Sequence, residues 1–371
     1  MLLMPFRTRA AAARAGKFAA RVVSAAIVLV PLLARADKPV AREVEFAGAG
    51  GTPLAGTLLL PSEAAQRYPA LVLLAGSGPT NRDGNQPPLL VTDLLKQIAQ
   101  SLAAHGVASL RFDKRGMHAN AAHLPTDHDE FGEFFAWEQF VGDARRAYEF
   151  LSEQTEIDPQ AVGILGHSEG AVLALVVADQ LACDAPQSAG DARRPPSALV
   201  LVAAPGRPLD ALLDEQLRAL LARQAATGEQ TEFYMAENAR ITAAIRETGV
   251  VPDDVPPGLR ALYPGYLGRF LQSCYATDPE KLAERYTGPV LVIAGEQDIQ
   301  VSVERDAAVL DAALARRTAD DHRLVVVPGA SHNLKPVTPE NAHGLGGEVP
   351  PDVLETLSCW VAARLRGDGG N

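Results

Sequence analysis

From residue 37 onward, short apolar runs alternate with longer stretches in which apolar positions recur every three or four residues. Residues 70–75 (ALVLLA), 107–112 (VASLRF), 161–165 (AVGIL), 198–203 (ALVLVA), 289–294 (PVLVIA) and 322–327 (HRLVVV) are nearly continuous in Val, Leu, Ile and Ala. Such runs suit parallel strands covered on both faces. Residues 43–46 and 54–60, separated by Gly48, Gly50 and Gly51, read as an antiparallel hairpin opening the fold. Between the runs, Val91, Leu94, Leu95, Ile98 and Leu102 keep helical spacing, and Gly106 ends that segment as a helix-stop residue. Residues 140–151, 171–181, 303–314 and 353–365 repeat the helical pattern. The alternation predicts an α/β protein: a mostly parallel, eight-stranded sheet with helices on both faces.

The pattern breaks once. After Ala204-Pro205-Gly206 the chain runs through residues 207–286 with helical spacing, no convincing strand, and a proline-rich stretch at 251–264. A helical insertion between two strands of such a sheet sits over the strand ends, where ligands bind. The expectation is one domain over residues 37–371 with a helical cap insertion at about 207–286.

Charge separates the N-terminal segment from the rest. Of 371 residues, 34 are Lys or Arg and 45 are Asp or Glu, a net charge of −11. Residues 1–36 contain Arg7, Arg9, Arg14, Lys17, Arg21 and Arg35 and no acid, so the remainder is more acidic than the whole. A basic stretch to Arg21, an apolar run over 22–34, and Ala34-Arg35-Ala36 form the order of a secretory signal peptide. The run is interrupted by Pro31 and is shorter than the roughly 20 apolar residues that span a bilayer. Export to the periplasm or medium, without a stable membrane anchor, is therefore expected. The acidic balance argues against a nucleic-acid partner, which needs a basic face. Cys183, Cys274 and Cys359 are too few and too scattered for a disulfide framework, and whether two of them pair is open. The sequence sets no oligomeric state.

The candidate chemistry falls at the ends of the predicted strands. Residues 161–165 run straight into Gly166-His167-Ser168-Glu169-Gly170, and a helical pattern begins at once. Glycines two positions either side of a serine let a strand-to-helix turn close tightly with the hydroxyl at its tip. A serine hydroxyl needs a base to take its proton, and the base needs an acid to hold its tautomer. The loop after strand 322–327 carries His332, and the loop after 289–294 carries Asp298. Ser168 is read as nucleophile, His332 as base and Asp298 as its acid, with Glu296 in the same loop as the alternative. An oxyanion hole needs two N–H donors: the residue after the nucleophile, Glu169, and one from the glycine-rich loop 74–85, assigned to Ser77.

Together, AGSGPTNRDGN, RFDKRG, GHSEG, GEQDIQV and GASH resemble the bacterial carboxylesterases of the EstD-like group, serine hydrolases of the α/β-hydrolase fold. The resemblance covers most of 37–206 and 287–366. It implies the triad Ser168, Asp298 and His332, a small-molecule ester substrate with a short acyl chain, and no cofactor. Ala75 departs from the pattern, since many such hydrolases have histidine before the glycine; this bears on loop packing more than on catalysis.

Two further polar clusters stand out. Arg82 and Asp83 lie in the glycine-rich loop, and Asp113, Lys114 and Arg115 follow strand 107–112. Pairing among Arg82, Asp83, Asp113 and Arg115 would stiffen both loops; recognition of a substrate carboxylate by Arg82 or Arg115 is the alternative. His118, His123 and His128 with Asp127 and Asp129 do not match zinc-ligand spacing, and no metal is expected there. The leading function is an exported serine esterase acting on short to medium acyl chains through an acyl-enzyme. A peptidase or thioesterase with the same triad is the alternative, though export disfavours acyl-CoA substrates. A non-catalytic binding protein on this fold comes third.

Overall fold

A computed structural model describes residues 38–62, 67–184 and 194–367. The export segment expected at 1–36 lies outside them. No helix among the described residues is long and apolar enough to cross a membrane.

Eight strands form one sheet: β1 (Val40–Ala47), β2 (Pro53–Leu60), β3 (Tyr68–Leu74), β4 (Ala108–Phe112), β5 (Ile157–His167), β6 (Leu199–Val202), β7 (Val290–Gly295) and β8 (His322–Val327). Their spatial order is β1-β2-β4-β3-β5-β6-β7-β8. β1 pairs antiparallel with β2, and β2 with β4; every later pairing is parallel. The continuous apolar runs follow from the pleat. In β3, Ala70, Val72 and Leu74 join one core cluster while Leu71 and Leu73 join the other, so both faces of the strand are dry.

Helices cover each face. α1 (Leu94–Ala104) and α10 (Pro351–Leu365) pack together on one side. α3 (Trp137–Ser152), α4 (Glu169–Cys183) and α9 (Ala308–Ala315) pack on the other, with the single turn α2 (Phe131–Phe134) before α3. Between β6 and β7 the chain forms α5 (Leu209–Arg223), α6 (Gly228–Thr248), α7 (Gly268–Ala276) and α8 (Pro279–Arg285), and no strand among the described residues. α6 opens on a capping box, with Thr227 Oγ1 accepting from Gln230 N and the Gln230 side chain accepting from Thr227 N.

Two segments with helical spacing do not open as α-helix at their first residue, each because a side chain captures the backbone first. Val91 has helical spacing, yet α1 begins at Leu94. Asn85 Oδ1 accepts from both Thr92 N and Asp93 N at 2.7 Å, and Asp93 takes a left-handed φ of 50°. Val91 is left exposed. The expected helix at 303–314 opens as a π-turn over Val303–Ala307 before α9. Asp306, fully buried there, accepts from Ser302 N at 3.0 Å and Gly206 N at 3.1 Å. All three cysteines are free thiols: Cys183 and Cys359 are exposed and Cys274 is buried.

Candidate active site

β5 delivers Ser168 directly to the N-terminus of α4. The residue sits at φ 56°, ψ −121°, a left-handed conformation that costs a non-glycine residue on the order of 1–3 kcal/mol. A Cβ on Gly166 would lie 2.1 Å from the Gly170 carbonyl oxygen, and one on Gly170 would lie 2.3 Å from the Leu74 carbonyl oxygen. Only glycine at both positions lets the elbow close on itself and against β3. Ser168 N donates to Val202 O at 2.9 Å, which holds the strained turn to the neighbouring strand. Its hydroxyl does not cap α4, and the residue lines a cavity of about 490 Å³.

The parallel pairing of β7 with β8 continues past both strands: Glu296 N donates to Val327 O at 2.9 Å and Gln297 N to Ala330 O at 2.8 Å. This brings the two loops side by side. His332 Nδ1 then lies 2.7 Å from Asp298 Oδ2, with the Asp298 side chain wholly buried. Asp298 Oδ1 accepts from Gln300 N at 2.7 Å and Val301 N at 3.0 Å, which aims the carboxylate. With Nδ1–H donated to this acceptor, a neutral imidazole keeps its lone pair on Nε2. Glu296, the alternative acid, is exposed and instead accepts from Gly329 N at 2.8 Å.

His167 braces the base from below. Its Nε2 lies 3.0 Å from the carbonyl oxygen of His332, and the two rings are 4.8 Å apart. Burial, reinforced by the nearby His332, pushes the His167 pKa down to about 3. The folded protein therefore keeps this ring neutral where the unfolded chain, with a pKa near 6.5, takes up a proton. The stability this contributes is whole above pH ~6.5 and drains away as pH falls toward 3. In His167→Gln the loss of unfolding free energy between pH 6.5 and pH 5 is expected to be smaller than in the parent by about 2 kcal/mol. Urea titrations at the two pH values measure it, and equal pH slopes would refute it.

The two amides proposed for an oxyanion line the same cavity. Neither Ser77 N nor Glu169 N has an acceptor among the described residues. The Ser77 carbonyl is held by Thr80 Oγ1 at 2.8 Å and Gln86 Nε2 at 3.0 Å. A Cβ on Gly76 would come within 3.3 Å of Ser168 Cβ, so this loop passes directly beside the nucleophile. The other walls are mostly apolar, with Leu209 and Leu212 of α5, Phe270 and Leu271 of α7, and Trp137 and Phe140 of α3, beside the polar Lys114, Arg207, Gln216 and Gln300.

A model of the alpha/beta hydrolase family matches residues 71–344, a span from β3 through the loops that hold Ser168, Asp298 and His332. The chain belongs to the alpha/beta hydrolase family. This hydrolase is 26% identical over 314 residues to esterase EstD of Thermotoga maritima, a match covering 83% of this chain and 65% of the esterase. Among solved structures, the carboxylesterase EstE1 from a metagenomic library superposes with a TM-score of 0.52 at 16% identity, covering 88% of this chain and 89% of that one. A puromycin-hydrolysing peptidase of Mycobacterium tuberculosis superposes with a TM-score of 0.53 at 17% identity, covering 88% of this chain and 40% of that one. At those identities the two structures speak for the fold alone.

The charged clusters of this hydrolase hold loops together. Arg82 donates from Nη2 to Asp113 Oδ2 at 2.9 Å and from its backbone N to Asp113 Oδ1 at 2.8 Å, which joins the glycine-rich loop to the end of β4. Asp83 pairs with Arg111, and the buried Arg115 makes a two-pronged bond to Asp143 of α3 at 2.6 and 2.7 Å. Neither Arg82 nor Arg115 lines the cavity, so substrate recognition by them has no geometric basis. His118 bonds to the Pro79 carbonyl at 2.7 Å and His128 packs on Phe131.

Sequence reasoning missed two partners. Asp306 receives Arg207 at 2.9 and 3.0 Å and so ties the end of β6 to the loop after β7. Lys114 contacts both candidate oxyanion segments. Asp306 and Arg207 carry no motif, and although Lys114 stands within RFDKRG, its partners lie far along the chain.

Proposed function

We propose that this hydrolase is an exported serine esterase that cleaves carboxylic esters of short to medium acyl chain. The observation that carries the reading is the strained Ser168 at the floor of an apolar cavity, beside two unpartnered amides, with a His332–Asp298 pair in the adjoining loop. Ser168 Oγ attacks the ester carbonyl while His332 Nε2 takes its proton, and Asp298 stabilises the imidazolium. The amides of Ser77 and Glu169 hold the oxyanion. Collapse expels the alcohol, which receives the proton from His332. Water, deprotonated by His332, then releases the acid and restores Ser168. The leaving alcohol must sit on the His332 side, where a second cavity of about 410 Å³ adjoins the first and shares Leu213, Gln216, Leu262 and Gln300 with it.

The esterase name of the Thermotoga relative supports the same chemistry. A peptidase holding a free amino terminus would need a free acid, and Glu169 is already engaged by Lys114 at 2.8 Å. Export rests on the basic-then-apolar order of residues 1–36. The test is a panel of p-nitrophenyl esters from acetyl to dodecanoyl, run beside thioester and aminopeptidase substrates. Turnover of the short and medium esters, falling off at dodecanoyl, is expected. Faster cleavage of the amides or thioesters would overturn the assignment.

A further inference from the structure

Lys114 follows β4 and is almost entirely buried, yet its ammonium group has a defined task on either side. Nζ donates to the Gly76 carbonyl oxygen at 2.6 Å and to Glu169 Oε1 at 2.8 Å, and lies 5.7 Å from the centre of the Phe140 ring. A buried ammonium is costly unless it is paired and hydrogen-bonded. These two partners flank the nucleophile. Gly76 supplies the carbonyl of the peptide whose N–H belongs to Ser77, and Glu169 supplies the other candidate donor from its own backbone.

The peptide plane links the first contact to catalysis. The C=O of Gly76 and the N–H of Ser77 are opposite ends of one planar trans unit, so anchoring the oxygen sets the direction of the N–H. Glycine is the residue whose peptide most readily rotates, and a charged donor at 2.6 Å opposes that rotation. A cation on the carbonyl end also polarises the unit and strengthens its N–H as a donor. The second contact ties the first residue of α4 to the same nitrogen.

We infer that Lys114 is the positioning residue of the oxyanion hole, a single cation that orients the Ser77 amide and couples it to the Glu169 segment. This rests on the esterase reading of the same site. Lys114→Met keeps the length of the side chain and removes its donors and charge. Its kcat for p-nitrophenyl butyrate is expected to fall about 10²–10³-fold, the loss for one oxyanion donor, with KM within about threefold. Affinity for a trifluoromethyl ketone, which becomes an oxyanion when a serine adds to it, should fall in parallel. Lys114→Arg, which retains charge and donors, should recover kcat to within about tenfold of the parent. A folded Lys114→Met with kcat within about threefold of the parent overturns the inference, as does a kcat loss with the ketone affinity intact. Should that variant fail to fold, Glu169→Met, which removes the acceptor and so releases one arm of the tether, is measured the same way; an unchanged kcat and ketone affinity would refute the coupling. A parent enzyme whose ester hydrolysis survives Ser168→Ala defeats the esterase reading instead. The Ser77 amide resonance, observed by NMR, then decides separately: unmoved in Lys114→Met it overturns the tether, and shifted it supports it.

Discussion

Ser168→Ala is expected to lower kcat for p-nitrophenyl esters by on the order of 10⁴–10⁶-fold while leaving KM within a few-fold. The two parameters separate because the substitution removes one oxygen from the floor of the cavity and none of the apolar side chains that line it. What remains is the contribution of the two amides and of binding, acting on water rather than on a serine. Labelling by a fluorophosphonate should vanish in the same variant, since the oxygen proposed to attack the phosphorus is gone. Alanine has a Cβ like serine, so it keeps the strain at φ 56° and the variant should unfold at nearly the parent's denaturant concentration. Undiminished hydrolysis by the folded variant would refute the covalent route.

The second large effect is at the acid. Asp298→Asn should reduce kcat by about 10³–10⁴-fold with little loss of stability. An asparagine can keep its Oδ1 on Gln300 N and Val301 N, the bonds that position the side chain. It then turns an NH2 group toward His332 Nδ1 where the carboxylate had accepted. The ring must present a lone pair at Nδ1 and carry its proton on Nε2, the tautomer that cannot accept a proton from Ser168. Glu296→Gln changes only an exposed contact to Gly329 N and should retain nearly full activity. Steady-state kinetics of the two variants separates the candidate acids, and the opposite ranking would reverse the assignment.

The parts of this protein that were legible in the sequence are those written in local periodicity. Apolar runs located the central strands, because a strand covered on both faces has no polar alternation to obscure it, while β1 at the sheet edge was read from the glycine-separated hairpin it forms with β2. The elbow was legible because its requirement is also local: two glycines fixed by clashes within five residues and with the adjoining strand. Asp298 and His332 could be proposed because each follows an apolar run closely. Asp298 was preferred to Glu296 there, but both project from one short loop, and the contacts that separate them come from the loop after the neighbouring strand.

Helix starts were misread for a related reason. Val91 has the right spacing for α1, but Asn85 takes the backbone amides that a first helical turn would leave open. Periodicity reports which face is apolar and says nothing about a side chain some residues away that competes for the backbone.

The sequence by itself determined the fold class, the order of strands and helices along the chain, and the local turn that strains Ser168. Only the tertiary structure decided which charges meet, because that depends on the spatial order of strands rather than their order in the chain. β4 lies between β2 and β3, which sets Lys114 at the end of one strand beside Gly76 at the end of the next. β3 in turn lies against β5, which brings that same glycine to Ser168. Contacts of this kind join residues scores of positions apart and impose no spacing that a linear pattern could reveal.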